Sequence, residues 1–519
     1  SAAQAAPGVV AVLTAADLEL DPQPPSGNVH GPFERPVLAG DTVRFVGDPL
    51  ALVIAEDLGR AQDAAEAVVV ELDPLPVVVD PVGALEPGAP LLFPEAGTNV
   101  VHTFAAQWDE DVLAGAEVVV RGRFVNQRLA PVPMETNGCV VVPDPDGSLT
   151  VWVSTQIPFD VRGDLAEWLH LDKRRIRVIA PDVGGGFGAK LVVSPEYLAV
   201  AAAAVRLGRP VRWTETRSES MVSLTHGRAQ VQEVELGARR DGRVVGLRVD
   251  LVADMGAYPV GAYLAPTTRS MLSGVYRIPR IASRGRSVVT NTTPVSAYRG
   301  AGRPEATALL ERAMDLVAAE LGMDPVEVRR RNLIPPDAFP HRTAVGTTYD
   351  VGDYGRALDE ALRLAGYEAL RAEQAERRAR GDRRPLGIGV SAYVEVTAFA
   401  GREFGGVEVH PDGTATVLSG LSPHGQGHET SLAQIASGLL AIPIERISVV
   451  HSDTGLVPAG DGTYGSRSLQ LGGTAVWNAS TQVLEKARLL AAHLLEASPA
   501  DVALRDDGRL GVAGAPELA

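Results

Sequence analysis

The sequence predicts an α+β protein in which helices and strands are mixed, and three observations lead there. Residues 41–80 pass from a strand-like run to a helical one and back. Residues 117–325 interleave β-rich runs with helices that open at proline. The 519 residues are 45% apolar and 22% charged, a composition able to bury a core. At about 150 residues per domain, this length suggests about three domains.

The elements follow in order. DTVRFVGDPLALVIAED reads as strand, DLGRAQDAAEAV as helix with alanine at helical spacing, and VVVELDPLPVVVD as strand again. Pro- and Gly-rich loops flank this unit, so a first domain is expected over residues 1–95. In a second block, 96–366, the runs VVVRGRFV, SLTVWVSTQ, RIRVIAPDV and RVVGLRVDLVADMG read as strands. PEYLAVAAAAVRLG and PEATALLERAMDLVAAELG read as helices with proline in the favoured first turn. YEALRAEQAERRARGDRRP is a charged linker helix whose charges coat a solvated face. It opens a third block, 367–519, of β-rich sequence with the helices HETSLAQIASGLLA and STQVLEKARLLAAHLLEA.

Charge and cysteine content exclude several function classes. With 48 Lys+Arg against 64 Asp+Glu the net charge is −16, which argues against broad affinity for nucleic acid or anionic membranes. The longest apolar stretch, Tyr197 to Val205, is far short of the ~20 residues of a membrane helix. The opening SAAQAAPGVVAVLTAADL lacks the basic and long apolar regions of a secretory signal, so a cytoplasmic location is expected. The single cysteine, Cys139, forms no internal disulfide and supplies neither a four-cysteine zinc site nor an iron–sulfur cluster.

Four segments carry chemistry. PDVGGGFGAK, residues 181–190, lets backbone amides approach a ligand closely. Read literally, Gly184-x-Gly186-x-x-Ala189 fits a dinucleotide fingerprint with Glu215 as its acidic partner, which keeps a nicotinamide or flavin dehydrogenase open. Against it, the next helix begins several residues after the last glycine, so its N-terminus would not abut a pyrophosphate. In SPHGQGHET, residues 422–430, His424 and His428 are four apart, but the intervening Gly425 and Gly427 oppose the regular helix a zinc pair needs. Gln426 is the better candidate, because a carboxamide offers donor and acceptor to a heterocycle edge. GDGTYGSRS, residues 460–468, presents Thr463, Ser466, Ser468 and Arg467 for a phosphate, with a polar surface loop as the bland alternative. VSAYRGAGRPEA, residues 295–306, sets Arg299 and Arg303 around two glycines; anion recognition and surface ion pairing both suit it.

Together with STQIP at 154–158, these segments resemble the molybdenum-binding subunit of the xanthine oxidase family. The resemblance runs along nearly the whole chain, and it is the order STQ, GGGFG, AYRG, GQG and a Thr/Ser-rich loop that makes it specific. FVGDPLALVIAED and LDPLPVVVD resemble its α/β-hammerhead domain, apparently entered after the first strand; a two-part molybdopterin-binding domain follows. By motif, Gln156 matches the glutamine that hydrogen-bonds an oxo ligand. Gly185, Gly186, Phe187 and Gly188 match the segment beside the metal. Arg299 matches the arginine near the metal and the pterin phosphate. Gly425 and Gln426 match the pterin-contacting pair, and Thr463, Ser466 and Ser468 the phosphate and pterin contacts. The resemblance implies molybdenum held by the pterin dithiolene with no protein ligand, in the cytosine dinucleotide form. It implies a small 2Fe-2S subunit and an FAD-binding medium subunit as partners, a dimer of heterotrimers, and a small-molecule substrate.

Departures from the pattern narrow the activity. Gly300 stands where carbon monoxide dehydrogenases carry a copper-binding cysteine, and Leu191 where xanthine-specific members carry a substrate-orienting glutamate. Ala301 replaces an aromatic wall. The family's basic glutamate follows a glycine near the C-terminal end, and this sequence has no Gly-Glu dipeptide, so truncation at both ends or a split subunit is expected. The implied reaction is hydroxylation of an aldehyde or N-heterocycle carbon with water; a non-catalytic remnant is the alternative. Glu135 and Glu429 are the tempting substitutes for the base. Glu135 reads better as a structural hydrogen-bonder and Glu429 as a first-turn carboxylate.

Overall fold

The computed structural model describes residues 2–517 apart from 26, 28, 107, 399, 400, 506 and 516. Three sheets with their covering helices carry the loops that matter. The largest runs Val100–Ala106, Ile281–Val288, Val244–Asp254, Gln230–Ala238, Val118–Asn126 from edge to edge. All neighbours are antiparallel except Val244–Asp254 with Ile281–Val288. Val244–Asp254 is buried along most of its length, and half-buried Arg248 and Asp250 alternate with fully buried Leu247, Val249 and Leu251. Helix Arg303–Leu321 covers the sheet, and Leu309, Met314 and Val317 meet Leu236, Leu247 and Leu251 in the core.

A four-stranded sheet, in the order Ile176–Ile179, Leu149–Val153, Gly138–Pro143, Val211–Thr214, is packed by helices Pro158–Trp168 and Pro195–Leu207. Ala199, Ala201, Ala203 and Ala204 of the second helix are fully buried, since methyl side chains let helix and sheet approach closely. Both helices start at proline; the sequence predicts this for Pro195–Leu207, whereas Pro158–Trp168 is not among the predicted helices. The third sheet, Gly405–Val409, Ala415–Ser419, Ile447–Val450, carries helices His428–Leu440 and Thr474–Leu494. It is locked to the second by an ion pair in which Arg177 Nε and Nη2 reach Asp453 at 2.9 and 2.6 Å.

Three expectations are corrected. Near the N-terminus, among the described residues, the strands that pair are Val9–Thr14 and Ala51–Ala55, with helix Leu58–Glu66 beside them. VVVELDPLPVVVD is extended but belongs to no sheet, and Val69, Leu72, Leu75, Val77 and Val79 are exposed. Pro74 and Pro76 remove two ladder donors there, and Val78 is held instead by a reciprocal pair of hydrogen bonds with Asn291. The β-rich run after the linker helix likewise stays out of the sheets until Gly405. It is pinned to helix Arg303–Leu321 and its neighbour by Ala392 N–H donating to Glu311 and Arg329 donating to the Val390 carbonyl. The last helix begins before the expected STQVLEK: a π-helical turn, Ser468–Gly473, runs straight into Thr474–Leu494, because Val476 is buried against Val417 and Leu421.

Cys139 lies inside the four-stranded sheet, fully buried, and burial pushes its thiol far above the ordinary range. Thiolate is the reactive form, so native protein is expected to resist thiol reagents and to react within minutes once unfolded. A thiol titration with and without denaturant checks this.

Candidate functional site

The loops after five strand ends converge. STQ leaves Leu149–Val153, the glycine-rich loop leaves Ile176–Ile179, AYRG follows Ile281–Val288, GQG follows Ala415–Ser419, and the Thr/Ser loop follows Ile447–Val450. Together they enclose a cavity of about 1540 Å³. Gln156, Gly185, Phe187, Gly188, Arg299, Gly425, Gln426, Thr463, Ser466 and Ser468 line it, and Gly186 lies directly behind the wall.

Gln156 is 1% exposed and clamped at both ends. Its Oε1 accepts from Gly188 N–H at 2.9 Å, and its Nε2 donates to the Thr463 carbonyl at 2.8 Å. One Nε2 proton is left for the cavity. Its backbone joins Lys190 and Thr463, so this residue ties three loops into one wall. Gly186 is required beside it: a Cβ there would sit 2.5 Å from Gln156 Oε1.

Phe187 adopts φ +55 and turns its half-exposed ring to the cavity. Its carbonyl accepts from Arg299 N–H at 2.8 Å, which joins the glycine-rich loop to the AYRG turn. The Arg299 guanidinium is exposed and has no hydrogen-bond or ion-pair partner among the described residues. Tyr263 and Tyr298 stand near it in the wall. Arg303, by contrast, is buried and spent on Glu395, its Nε donating at 2.7 Å.

Gln426 curls back, its Oε1 accepting from His424 N–H and its Nε2 donating to His424 Nε2, so one amide proton and part of Oε1 remain for a ligand. His428 begins its helix, and burial pushes its imidazole down to about 4, leaving a neutral ring whose Nδ1 has no partner among the described residues. Among those residues, no three His, Cys, Asp or Glu side chains are arranged to hold a metal ion. Ser422 N–H donates to Thr463 Oγ1, which frees the Thr463 hydroxyl proton, and the Ser466 and Ser468 hydroxyls are unengaged by the described protein groups. Arg467 does not join this donor set. It turns inward to Glu403 at 3.1 Å and Asp461 at 3.0 Å, and fastens the loop from behind.

Lys190 was not singled out by the sequence and proves central. Its ammonium is 1% exposed and donates to Glu135 Oε2 at 2.9 Å, the Glu135 carbonyl at 3.1 Å and Ser154 Oγ at 2.7 Å. Glu135 Oε2 also accepts from Gly184 N–H at 2.6 Å. The carboxylate is thus committed to structure, and Glu429 is equally committed, to His451 at 2.7 Å. Glu135→Gln is expected to keep the fold and to lose about 1–3 kcal/mol of stability, read by denaturant titration; an unchanged midpoint would show that the Lys190 contact does not brace the loop.

The dinucleotide alternative loses its structural basis. The sheet behind Gly184–Ala189 is mixed, and the next full helix starts only at Pro195. Comparison with known proteins points elsewhere. Residues 92–333 and 360–518 each match a molybdopterin cofactor-binding domain, and residues 1–76 match the aldehyde oxidase and xanthine dehydrogenase a/b hammerhead domain. The solved quinoline 2-oxidoreductase of Pseudomonas putida 86 superimposes with a TM-score of 0.94 at 36% identity, covering 99% of this chain and 68% of that one. The chain belongs to this molybdopterin-binding family. The carbon monoxide dehydrogenase large chain of Hydrogenophaga pseudoflava is 39% identical, over 96% of this chain and 66% of that protein. The nicotine 6-hydroxylase large subunit of Paenarthrobacter nicotinovorans is 35% identical, over 100% and 66%. The chain therefore spans just under two thirds of the length of these two curated relatives. Within the family's cavity, Leu191, Gly300 and Ala301 all lie in the wall, so the three departures from pattern fall where a ligand would meet them.

Proposed function

We propose that this chain is the molybdenum-cofactor-binding subunit of an oxidoreductase that hydroxylates an aldehyde or N-heterocycle carbon with water and passes the electrons to 2Fe-2S and FAD subunits. The observation that carries the reading is the single cavity built from loops of both halves of the chain. Its donors fit a large organic phosphate: the Arg299 guanidinium and three hydroxyl protons, none engaged by the described residues, and a spare Gln156 proton. We assign these to molybdopterin cytosine dinucleotide. When bound, it supplies a metal that accepts two electrons from the substrate.

The chain's own residues do the rest. Gln156, held rigidly on three loops, has one N–H left that would serve the bound cofactor as a hydrogen-bond donor. Phe187 would shield the bound group from water, and Arg299 would offer it a positive charge. Gly425, Gln426, Thr463, Ser466 and Ser468 bind its distal parts, and preorganised donors of this kind cost no reorganisation when the ligand arrives. Gly185 and Gly186 let the backbone approach. Asp160 and Glu395 are the carboxylates in the wall among the described residues, and Glu395 is tied to Arg303. The sequence holds no Gly-Glu dipeptide, and on that ground the base is assigned to sequence outside this chain. Divisions at residues 95 and 366, a dimer of heterotrimers and a cytoplasmic location belong to the same reading; no described helix is long and apolar enough to cross a membrane. Gly300 offers no thiolate for copper, so carbon monoxide is not the expected substrate.

The purified complex is expected to contain molybdenum, cytosine nucleotide, iron and FAD, and to oxidise members of an aldehyde and heteroarene panel with an artificial acceptor. A complex free of molybdenum would remove the proposal.

A further inference from the structure

The Tyr298–Arg299 turn is held from beneath by a residue that no motif contains. Residues 226–229 lie along the turn: His226 N–H donates to the Pro294 carbonyl at 2.9 Å, and Ser296 N–H returns to the His226 carbonyl at 2.8 Å. Gly227 abuts Tyr298, where a Cβ would come within 2.3 Å of the tyrosine Cβ. Arg228 then donates from Nη1 to the Tyr298 carbonyl at 2.7 Å and from Nη2 to the Arg299 carbonyl at 2.6 Å. Its guanidinium also lies over the Tyr298 ring, 4.6 Å from the centroid. One planar fork thus pins two successive carbonyls while lying over the Tyr298 ring, a combination an ammonium cannot make.

The fork is charged and almost dry. The Arg228 side chain is 11% exposed and faces Glu305, 1% exposed, at 3.6 Å. Neither Glu305 oxygen finds a hydrogen-bond partner among the described residues. The carboxylate sits in the first turn of helix Arg303–Leu321, where the helix dipole favours it. Arg228 and Ala229 both adopt left-handed backbone, φ +68 and +59. Two adjacent non-glycine residues in that region persist only where the surroundings impose them, and such strain gathers at functional sites.

We infer that Arg228 is a positioning residue: oriented by Glu305, it fixes the Tyr298–Arg299 turn so that the unpartnered Arg299 guanidinium is presented to the cofactor. The inference rests on reading Arg299 as a cofactor contact. Phe187, which accepts from Arg299 N–H, is held in place through the same turn.

The test uses the full complex with Arg228→Lys, Arg299→Ala and the double variant, scored by molybdenum and cytosine nucleotide retained per chain, by thermal midpoint and by the spectroscopic signature of the partly reduced metal. Lysine keeps the charge opposite Glu305 and loses the fork. R228K is expected to melt close to wild type, to lose at least tenfold in cofactor retention, and to shift the metal's signature in the same direction as R299A. The double variant is expected to be no worse than R299A alone, since coupled residues are not additive. Should R228K not fold, Glu305→Gln carries the same cycle with the same expected non-additivity. Unchanged retention in R228K, or losses that multiply with those of R299A, overturn the inference alone. Full retention in R299A overturns the reading of Arg299 and the inference with it.

Discussion

Replacing Gly188 by alanine is expected to empty the chain of cofactor and to lower its melting point at the same time. Gly188 has φ +100, and a Cβ there would lie 2.7 Å from the Ala297 carbonyl oxygen and 3.1 Å from the Ala297 Cβ. Backbone cannot yield there as a flexible side chain could, so the loop itself must move. Left-handed strain and the contact together cost on the order of 1–3 kcal/mol. Any shift pulls Gly188 N–H away from Gln156 Oε1 and frees the side chain that joins three loops. Gly425→Ala is the control. It too has positive φ, +114, but no atom stands within 4 Å of its Cβ, so the new methyl projects into the cavity and not into the protein. G425A carries the backbone strain without the clash, so it is expected to melt below wild type but above G188A, while still losing more than tenfold in cofactor retention, about 1.4 kcal/mol. Elemental analysis for molybdenum beside calorimetry separates the two. A G188A protein with full molybdenum content would show that Gln156 tolerates the displacement and does not organise the wall.

The parts of the site that were legible in sequence are those whose chemistry is local. Glycines that let backbone approach, an arginine between small residues, and hydroxyls in one loop announce themselves within ten residues, and these residues do meet in one cavity. What was not legible is the bracing. Lys190 finds Glu135 and Ser154 at 55 and 36 residues' separation, Arg228 finds its carbonyls 70 and 71 residues on, and Gln156 reaches Thr463 across 307. Nothing in a local pattern distinguishes a buried lysine of this kind from a surface one. Arg467 shows the converse error: a cation beside Ser466 and Ser468 suggested phosphate binding, yet its guanidinium faces Glu403, a residue that no motif marked. Secondary structure failed for a related reason. VVVELDPLPVVVD has strand composition, but a strand exists only where another lies beside it, and its two prolines leave too few donors for a ladder.

Arg467→Ala is expected to be the most destabilising single change in the loops that line the cavity, and its cost should depend on pH. The Arg467 and Glu403 side chains are 3% and 0% exposed, and the guanidinium also holds the Gly462 and Arg402 carbonyls. Removing one partner of such a buried pair costs about 3–5 kcal/mol, because the charge left behind has neither water nor counter-ion. Glu403 has a way to limit that loss. Burial raises its carboxyl to about 7 even with Arg467 beside it, against an ordinary value of 4.5. The folded chain therefore binds this proton more tightly than the unfolded one. The stabilisation from protonation is complete below about 4.5 and disappears as pH rises through about 7. Without Arg467 the carboxyl would rise further and neutralise rather than stay bare. The penalty of R467A should accordingly approach its full size at pH 8 and shrink at pH 5.5. Denaturant titrations of wild type, R467A and Glu403→Gln at the two pH values check this, with E403Q expected to remove the pH dependence of the difference. A penalty equal at both pH values would mean that Glu403 keeps its charge without Arg467. The 461–468 loop, and the hydroxyls it presents, would then be held by something other than this pair.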